Sequence, residues 1–407
     1  MSVRRVPEPT FPTFSREEIR TRAEHTLGAL EADVLLLTGR ENVVYFTGLS
    51  SCAWVQKGVV PAVVLFDGRS GETTMVLPDF WLGTAEKTTW VDDFVLHRNS
   101  HSQPDDFPNL VAAVVRDRWG DEATIGYEAG TEMLLGMPLR QWERLRSQLR
   151  ATWVDAGDAI WASRMIKSAA EIERLRRSGQ ATNRAQERLR EHARPGMSEL
   201  ELGWYLRQEL LQSDASEQDR IFLNMRAGTE RYSMTDTFPK DRALREGDLL
   251  ICDAGIFVEG YAGDTARTMA VGEPSERHAA VYAHALEAQR QALATVRDGT
   301  PAHAVYDAVR RVYDDAGLPV HIDMVGHGIG LDLHEPPMLS PDNGAPLREN
   351  MVICVEPWVT LPNDEGVLTI EDTFLVTGDG YERLTLPNAD PLWRISVNSP
   401  TNGGRSS

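Results

Sequence analysis

The sequence predicts an α/β domain followed by an α+β domain built on a curved antiparallel sheet. Three observations predict it. Through the first 160 or so residues, segments with helical spacing alternate with short apolar strands, the pattern of a three-layer α/β unit. Beyond Arg164, four helical segments accompany strands that carry acidic residues at their ends, as in helices backing an antiparallel sheet. The chain is also long enough for two domains at 407 residues, with ordinary hydrophobic and charged content of 42% and 25%.

Several function classes are excluded at this level. No apolar run approaches the roughly 18 to 20 residues of a spanning helix, and the start, MSVRRVPEP, has prolines where a signal peptide would be apolar. No membrane partner is expected, and the location read from the reduced cysteines described next is cytoplasmic. A formal net charge of -19 repels phosphates, and no basic run with interleaved aromatics offsets it, so nucleic acid is not expected either. Cys52, Cys252 and Cys354 are odd in number and widely spaced, and read as reduced, packed thiols.

In chain order, Ser15 to Leu30 has helical spacing, with Ser15 as its cap and Glu17 and Glu18 in the first turn. Ala32 to Thr38 reads as a buried strand, Val43 to Phe46 as a short apolar segment and Val59 to Phe66 as another strand. Further strands are expected at Thr73 to Leu77, Phe94 to His97 and Ala123 to Tyr127, and helices at Asp106 to Trp119 and Leu139 to Leu149. No glycine-rich nucleotide loop occurs at a strand-to-helix turn. Trp54, Trp81, His97 and His101 read as core or interface residues. Trp54 and Trp81 also look exposed enough to suggest a homodimer formed through this domain.

The expected boundary falls near Trp161 to Ser168, giving domains at 1–163 and 164–398 and a polar tail, 399–407, expected to be disordered. Ser168 with Glu171, and Ser198 with Glu201, form two capping boxes that start helices, and helices also fit Ser275 to Val296 and Pro301 to Ala316. Between them lies GDLLICDAGIFVEGYAGDTART, Gly247 to Thr268. An apolar strand delivers Asp253, and a glycine-bearing turn leads to a strand carrying Asp264. A hairpin with an even-numbered loop can set the two aspartates directly opposite each other, and a cation would relieve their repulsion. The plainer reading is a pair of turn aspartates beside glycine.

Later stretches add weight to the cation. VGHGIGLDLHEPP, Val325 to Pro337, places His327 between two glycines and His334 seven residues on. MVICVEP ends an apolar strand in Glu356, and GVLTIEDTF is another strand carrying Glu371 and Asp372. A glutamate in such a strand is rarely tolerated without a partner. Asp253, Asp264, His327, Glu356 and Glu371 thus form a set of four carboxylates and one imidazole suited to two divalent ions.

With these motifs in this order, the chain resembles the pita-bread metallopeptidase family, in its aminopeptidase P, prolidase and creatinase branch. The resemblance covers Arg164 to near Leu386, and the upstream length fits the creatinase-like amino-terminal domain of that branch. It implies a metal-dependent hydrolase of C–N bonds with two divalent ions as cofactor, manganese first, with cobalt, zinc or iron as alternatives. Asp253 and Asp264 would chelate one ion, Asp264 and Glu371 would bridge, and His327 and Glu356 would complete the second. Glu356 would shuttle the proton of the attacking water, with His327 beside it in the catalytic set. His334 would donate to the developing oxyanion and touch substrate, although a loop histidine satisfied by backbone is the plainer reading.

The substrate-facing residues depart from the family. Peptidases of the family carry a histidine shortly before the aspartate hairpin. Here Tyr232 to Pro239, YSMTDTFP, has Asp236 instead, and Tyr232 and Asp236 are the expected substrate contacts. Ala266 stands where threonine is usual, and Leu368-Thr369 precede Ile370-Glu371 where many peptidases have an arginine. The expected partner is therefore a dipeptide of Xaa-Pro type or a small molecule. The alternatives are an amidine or ring hydrolase in the manner of creatinase or ectoine hydrolase, an iron-dependent lyase, or a catalytically dead binding module, against which the intact acidic set argues.

Overall fold

The structure, a computed structural model, describes residues 4–5, 13–49, 62–98, 106–213, 220–228, 237–319, 323–361, 366–387 and 392–397. The chain divides into two compact units, Met1–Arg164 and Met165–Ser407.

In the first unit the strands are β1 (Arg4–Arg5), β2 (Val34–Leu37), β3 (Val63–Asp67), β4 (Thr73–Pro78), β5 (Asp93–His97), β6 (Thr124–Tyr127) and β7 (Thr152–Asp155), and they form one sheet in the order β1-β5-β4-β3-β2-β6-β7. The helices are α1 (Arg16–Gly28), α2 (Arg40–Thr47), α3 (Leu82–Thr88), α4 (Phe107–Trp119), α5 (Leu139–Ser147) and α6 (Gly157–Met165). Val34, Leu36, Val63 and Leu65 pack with Val111 of α4 and Leu145 of α5. Their strand neighbours Leu35, Leu37, Val64 and Phe66 are equally buried, so both faces of the sheet are covered, as the strand-and-helix alternation predicts.

One reading becomes specific here and one changes. Val43 to Phe46 lies inside α2, where the buried Glu128 carboxylate accepts the N–H groups of Thr38 and Gly39 at 2.7 and 2.8 Å and the Asn42 side-chain amide at 2.7 Å. That carboxylate satisfies the helix start, and a start held this way overrides the β-propensity of Val43 and Val44. Trp81 is buried, so it does not serve as an exposed dimer contact, and Cys52, Trp54 and His101 lie outside the described residues. His97 is buried in the core against Phe107, ring centroids 5.5 Å apart. The short β1 and the half-exposed β7 carry no apolar period to reveal them.

In the second unit, α7 (Ala169–His192) and α8 (Glu199–Gln212) each begin with the capping box that the sequence encodes. The strands β8 (Ile221–Ala227), β9 (Leu249–Val258), β10 (Tyr261–Ala262) and β11 (Thr265–Val271) follow. After α9 (Glu276–Leu293) and α10 (Ala302–Asp315) come β12 (Gly326–Gly328), β13 (Val352–Val355), β14 (Val359–Leu361), β15 (Gly366–Leu368), β16 (Asp372–Val376), β17 (Tyr381–Arg383) and β18 (Trp393–Ile395). Strand β9 is central to one sheet, flanked by β8, β10 and β11, with β18 beyond β11. A second sheet runs β12-β13-β16-β17, and β14 pairs with β15. Among the described strands of this unit every pairing is antiparallel except β11 with β18. GVLTIEDTF is two strands with a break at Thr369 to Glu371.

Two cores back these sheets. Leu202 and Leu206 of α8 and Ala181 and Ala185 of α7 pack on Leu250 and Cys252 of β9, while α9 and α10 pack Tyr282, Val305 and Val309 on Ile353 and Phe374. The strands that carry acidic residues are thereby held from behind, which fixes where their carboxylates stand. Among the described residues, no helix is long and apolar enough to cross a membrane.

Candidate metal centre

The site grows from β9. Asp253 sits in mid-strand opposite Asn224 of β8, and the Asn224 amide donates to its Oδ2 at 3.3 Å. Asp264 precedes β11, whose register pairs Asp253 with Ala266. The aspartates are therefore diagonal neighbours rather than directly opposite, a correction to the expected hairpin. Two glycines explain the displacement. A Cβ on Gly255 would stand 1.6 Å from the carbonyl oxygen of Gly263, and one on Gly263 would stand 2.7 Å from the Ser178 backbone. The chain at Gly263 presses between β9 and α7 more closely than any side chain allows, and this carries Asp264 into contact with Asp253.

The remaining groups come from the second sheet. His327, in mid-β12, sets Nδ1 2.9 Å from the Gly328 carbonyl oxygen, which assigns the proton to Nδ1 and leaves the Nε2 lone pair open. That Nε2 lies 3.7 Å from Asp264 Oδ2, 3.5 Å from Glu356 Oε1 and 3.9 Å from Glu371 Oε1. Glu356 directly follows β13, and Trp358 Nε1 donates to its Oε2 at 2.8 Å. Glu371 directly precedes β16. Its carbonyl oxygen accepts from the buried Arg267 guanidinium at 2.5 Å, and the same guanidinium reaches Asp372 Oδ1 at 2.7 Å. Asp372 is held in turn by Arg383 at 2.6 Å and by the Thr385 hydroxyl at 2.9 Å.

The structure thus brings Asp253, Asp264, His327, Glu356 and Glu371 together, all of them buried. Burial of so many like charges shifts their ionisation. Desolvation, then the Glu356 charge, pushes Asp253 up to about 7. Desolvation likewise raises Glu356 to about 7, and with the neighbouring carboxylates it holds Asp264 and Glu371 well above the usual range. Burial drives His327 the other way, to about 4, so its imidazole is neutral.

Of the other expected residues, His334 is exposed, its ring centroid 4.1 Å from that of His327. Tyr232 and Asp236 lie outside the described residues. Sequence reasoning missed Asn224, Trp358 and Arg267, which orient Asp253, Glu356 and Glu371. Arg267 alone carried a signal, being a charged residue inside an apolar strand. Cys354 borders the site: its sulfur and donor atoms of Asp264, His327 and Glu371 all lie within 4.8 Å of one another. Burial keeps its thiol well above its ordinary value and therefore protonated.

The donor set fits divalent cations on one further observation. Asp253 Oδ1, Asp264 Oδ1, His327 Nε2 and Glu371 Oε1 are buried and lack a hydrogen-bond partner. Buried acceptors are normally paired, and orphans that converge on one space mark a cation position. Three carboxylates and a neutral imidazole are oxygen and nitrogen donors of the kind taken by manganese, cobalt, zinc or iron.

Comparison with known proteins decides the family. The profile of metallopeptidase family M24 matches residues 173–378. The chain belongs to metallopeptidase family M24. The profile of the creatinase/prolidase N-terminal domain matches residues 20–166, so the M24 unit is preceded here by a creatinase-type unit. As an M24 member with a pita-bread catalytic unit, the chain is a metal-dependent hydrolase. It is 26% identical over 354 residues to a Xaa-Pro dipeptidase of Pyrococcus horikoshii, covering 87% of this chain and 92% of that protein. It is 33% identical over 257 residues to the probable dipeptidase PepE of Mycobacterium bovis, covering 63% of this chain and 68% of the relative. Among solved structures, dipeptidase PepE from Mycobacterium ulcerans superposes with a TM-score of 0.79 at 27% identity, over 93% of this chain and 97% of its own. A dipeptidase structure from Pyrococcus horikoshii shares the fold at a TM-score of 0.80, over 93% and 100% of the two chains, at 24% identity.

Proposed function

We propose that this M24 hydrolase cleaves the C–N bond of Xaa-Pro dipeptides, with two divalent ions held by Asp253, Asp264, His327, Glu356 and Glu371. The observation that carries the reading is the convergence of four orphaned buried donor atoms between the two sheets, in a chain whose relatives are named as Xaa-Pro dipeptidases. Asp253 and Asp264 would hold one ion, His327 and Glu356 the other, and Asp264 and Glu371 would serve both. Manganese is the first choice, with cobalt, zinc and iron as alternatives.

Ions bound there would lower the pKa of a water and polarise the substrate carbonyl. The chain's residues do the rest. Glu356, oriented through one oxygen by Trp358, receives the proton of the attacking water on the other and passes it to the leaving nitrogen. His334, exposed beside the buried set, donates to the oxyanion that develops on the carbonyl oxygen. Tyr232 and Asp236 are proposed as substrate contacts.

One observation favours a second reading, a small-molecule C–N hydrolase on the same scaffold. Leu368 and Thr369 stand where the family resemblance leads one to expect an arginine, and both are buried and uncharged. A substrate carboxylate would find no cation there. The reading also includes a homodimer, supported by the exposed Phe80, Leu134 and Leu139 of the first unit, and a reducing, cytoplasmic setting, supported by the buried free thiols of Cys252 and Cys354.

The test is elemental analysis of the purified protein followed by a substrate screen. About two manganese, cobalt, zinc or iron ions per chain and turnover of Xaa-Pro dipeptides support the reading. Turnover of creatine-like or ectoine-like molecules but not dipeptides transfers it to the second, and active protein without metal overturns both.

A further inference from the structure

Outside the carboxylate cluster, a buried ion pair fastens the loop that carries His334. Lys167 Nζ donates to Glu335 Oε2 at 2.9 Å, with both side chains almost fully buried, at 2% and 1% exposure. Lys167 lies ahead of α7 and is itself fixed, its N–H donating to the Asn350 carbonyl oxygen at 2.9 Å. Glu335 is gripped along its whole length. Its N–H donates to the Gly328 carbonyl oxygen at 2.8 Å, one residue past His327, and its Oε1 accepts the Asp332 N–H at 3.2 Å.

Gly330 completes the hold. A Cβ there would stand 2.5 Å from both carboxylate oxygens of Glu335, so the loop is wrapped directly on that carboxylate. The Gly330 carbonyl oxygen in turn accepts the Ala262 N–H at 2.8 Å, two residues before Asp264. Glu335 thus gathers the stretch Gly328 to Glu335, its N–H holding the start and its carboxylate the middle. His334 is the exposed residue next to it, and its ring already lies against that of His327.

A buried ion pair is a poor way to gain stability, because desolvation offsets most of the attraction, and its usual advantage is a fixed geometry. Here that geometry is the path of the His334 backbone. We propose that Glu335 and Lys167 are positioning residues that act through His334, holding its imidazole at the reacting carbonyl. The proposal rests on the reading of His334 as the oxyanion donor. An imidazole displaced by about 1 Å loses on the order of 100-fold in rate, whereas binding of the unreacted substrate changes little.

The experiment is a double-mutant cycle with His334→Ala and Glu335→Gln on the manganese-loaded protein, assayed with Ala-Pro and with the small molecules of the substrate screen. The same variants are followed by hydrogen exchange in metal-free protein. Expected results are a fall of at least about 100-fold in kcat for His334→Ala, and of at least about 10-fold for Glu335→Gln with KM within twofold. Glu335→Gln should add less than twofold in the His334→Ala background. Exchange should speed up across Ile329 to Glu335 and stay slow in β9. Should the lone Lys167 charge prevent Glu335→Gln from folding, Lys167→Met/Glu335→Gln replaces it in the cycle with the same expectation. Full additivity of the two sites, or unchanged exchange in the loop, overturns the positioning role. A His334→Ala variant with unaltered kcat instead overturns the oxyanion reading on which it rests, and the loop exchange then reports the Glu335 hold separately.

Discussion

Replacing Asp253 by asparagine should make the metal-free protein more stable at pH 8 and remove its stabilisation by metal. Asp253 is buried, and its carboxyl is pushed up to about 7 by desolvation and by the Glu356 charge. Because the folded value lies above the unfolded one, near 3.9, the folded chain holds the extra proton between about pH 4 and 7. Stability is therefore lost as pH rises through that window and stays low above it. At 1.36 kcal/mol per pH unit, the ionised form at pH 8 carries a penalty of about 4 kcal/mol, an upper figure because the carboxylates share their protons. His327 opposes this, since its value of about 4 means that stability is lost as pH falls from about 6.5 to 4. Four carboxylates outweigh one imidazole. Asparagine keeps an oxygen to accept from Asn224, so the variant removes charge with little loss of contact. Thermal melts with chelator at pH 5 and pH 8 should show the variant several degrees above wild type at pH 8 and near it at pH 5. Added manganese should raise the wild-type midpoint most at pH 8 and leave the variant unmoved. Equal midpoints at pH 8 would refute the argument that ionised carboxylates crowd the site.

Four further outcomes are expected. Asp264→Ala and Glu371→Ala should each abolish metal occupancy by elemental analysis and lower activity by at least about 1,000-fold, since each would touch both ions. Trp358→Phe should keep metal but reduce kcat by about 10-fold, because Glu356 loses the donor that orients it, and kcat against metal content separates the two effects. Asp372→Ala should destabilise the catalytic unit by about 3 to 5 kcal/mol in denaturant melts, leaving the Arg267 guanidinium buried without its carboxylate. Light scattering at micromolar concentration should report a dimer; a monomer would remove the homodimer from the reading.

Much of this architecture is legible in the sequence. Capping boxes at Ser168 and Ser198 are local chemistry, so the starts of α7 and α8 could be read to the residue. The five convergent groups were legible because a charged residue ending an apolar strand needs a partner, and four carboxylates cannot partner one another. The register of the aspartate hairpin was not legible. Parity of separation fixes the face a residue points to but not a displacement by two, and the displacement comes from contact of Gly263 with Ser178 on α7, a helix distant in sequence. Asn224, Trp358 and Lys167 were hidden for a similar reason, since each acts on a group brought near only by the fold. The segment Val43 to Phe46 stayed without an assignment because its helix start is satisfied by Glu128, which follows β6 and is distant in sequence.

The glycines at 255 and 263 have a bearing on how this site can decay. An aspartate lost from the cluster removes one donor and can be regained by a single base change, with the scaffold unaltered. A methyl group at position 255 meets a backbone oxygen at 1.6 Å, so the two segments must part and both aspartates move at once. In a distant copy of this chain, a side chain at either place would therefore mark a hairpin on which the two aspartates no longer stand together, even where all five acidic and imidazole positions persist.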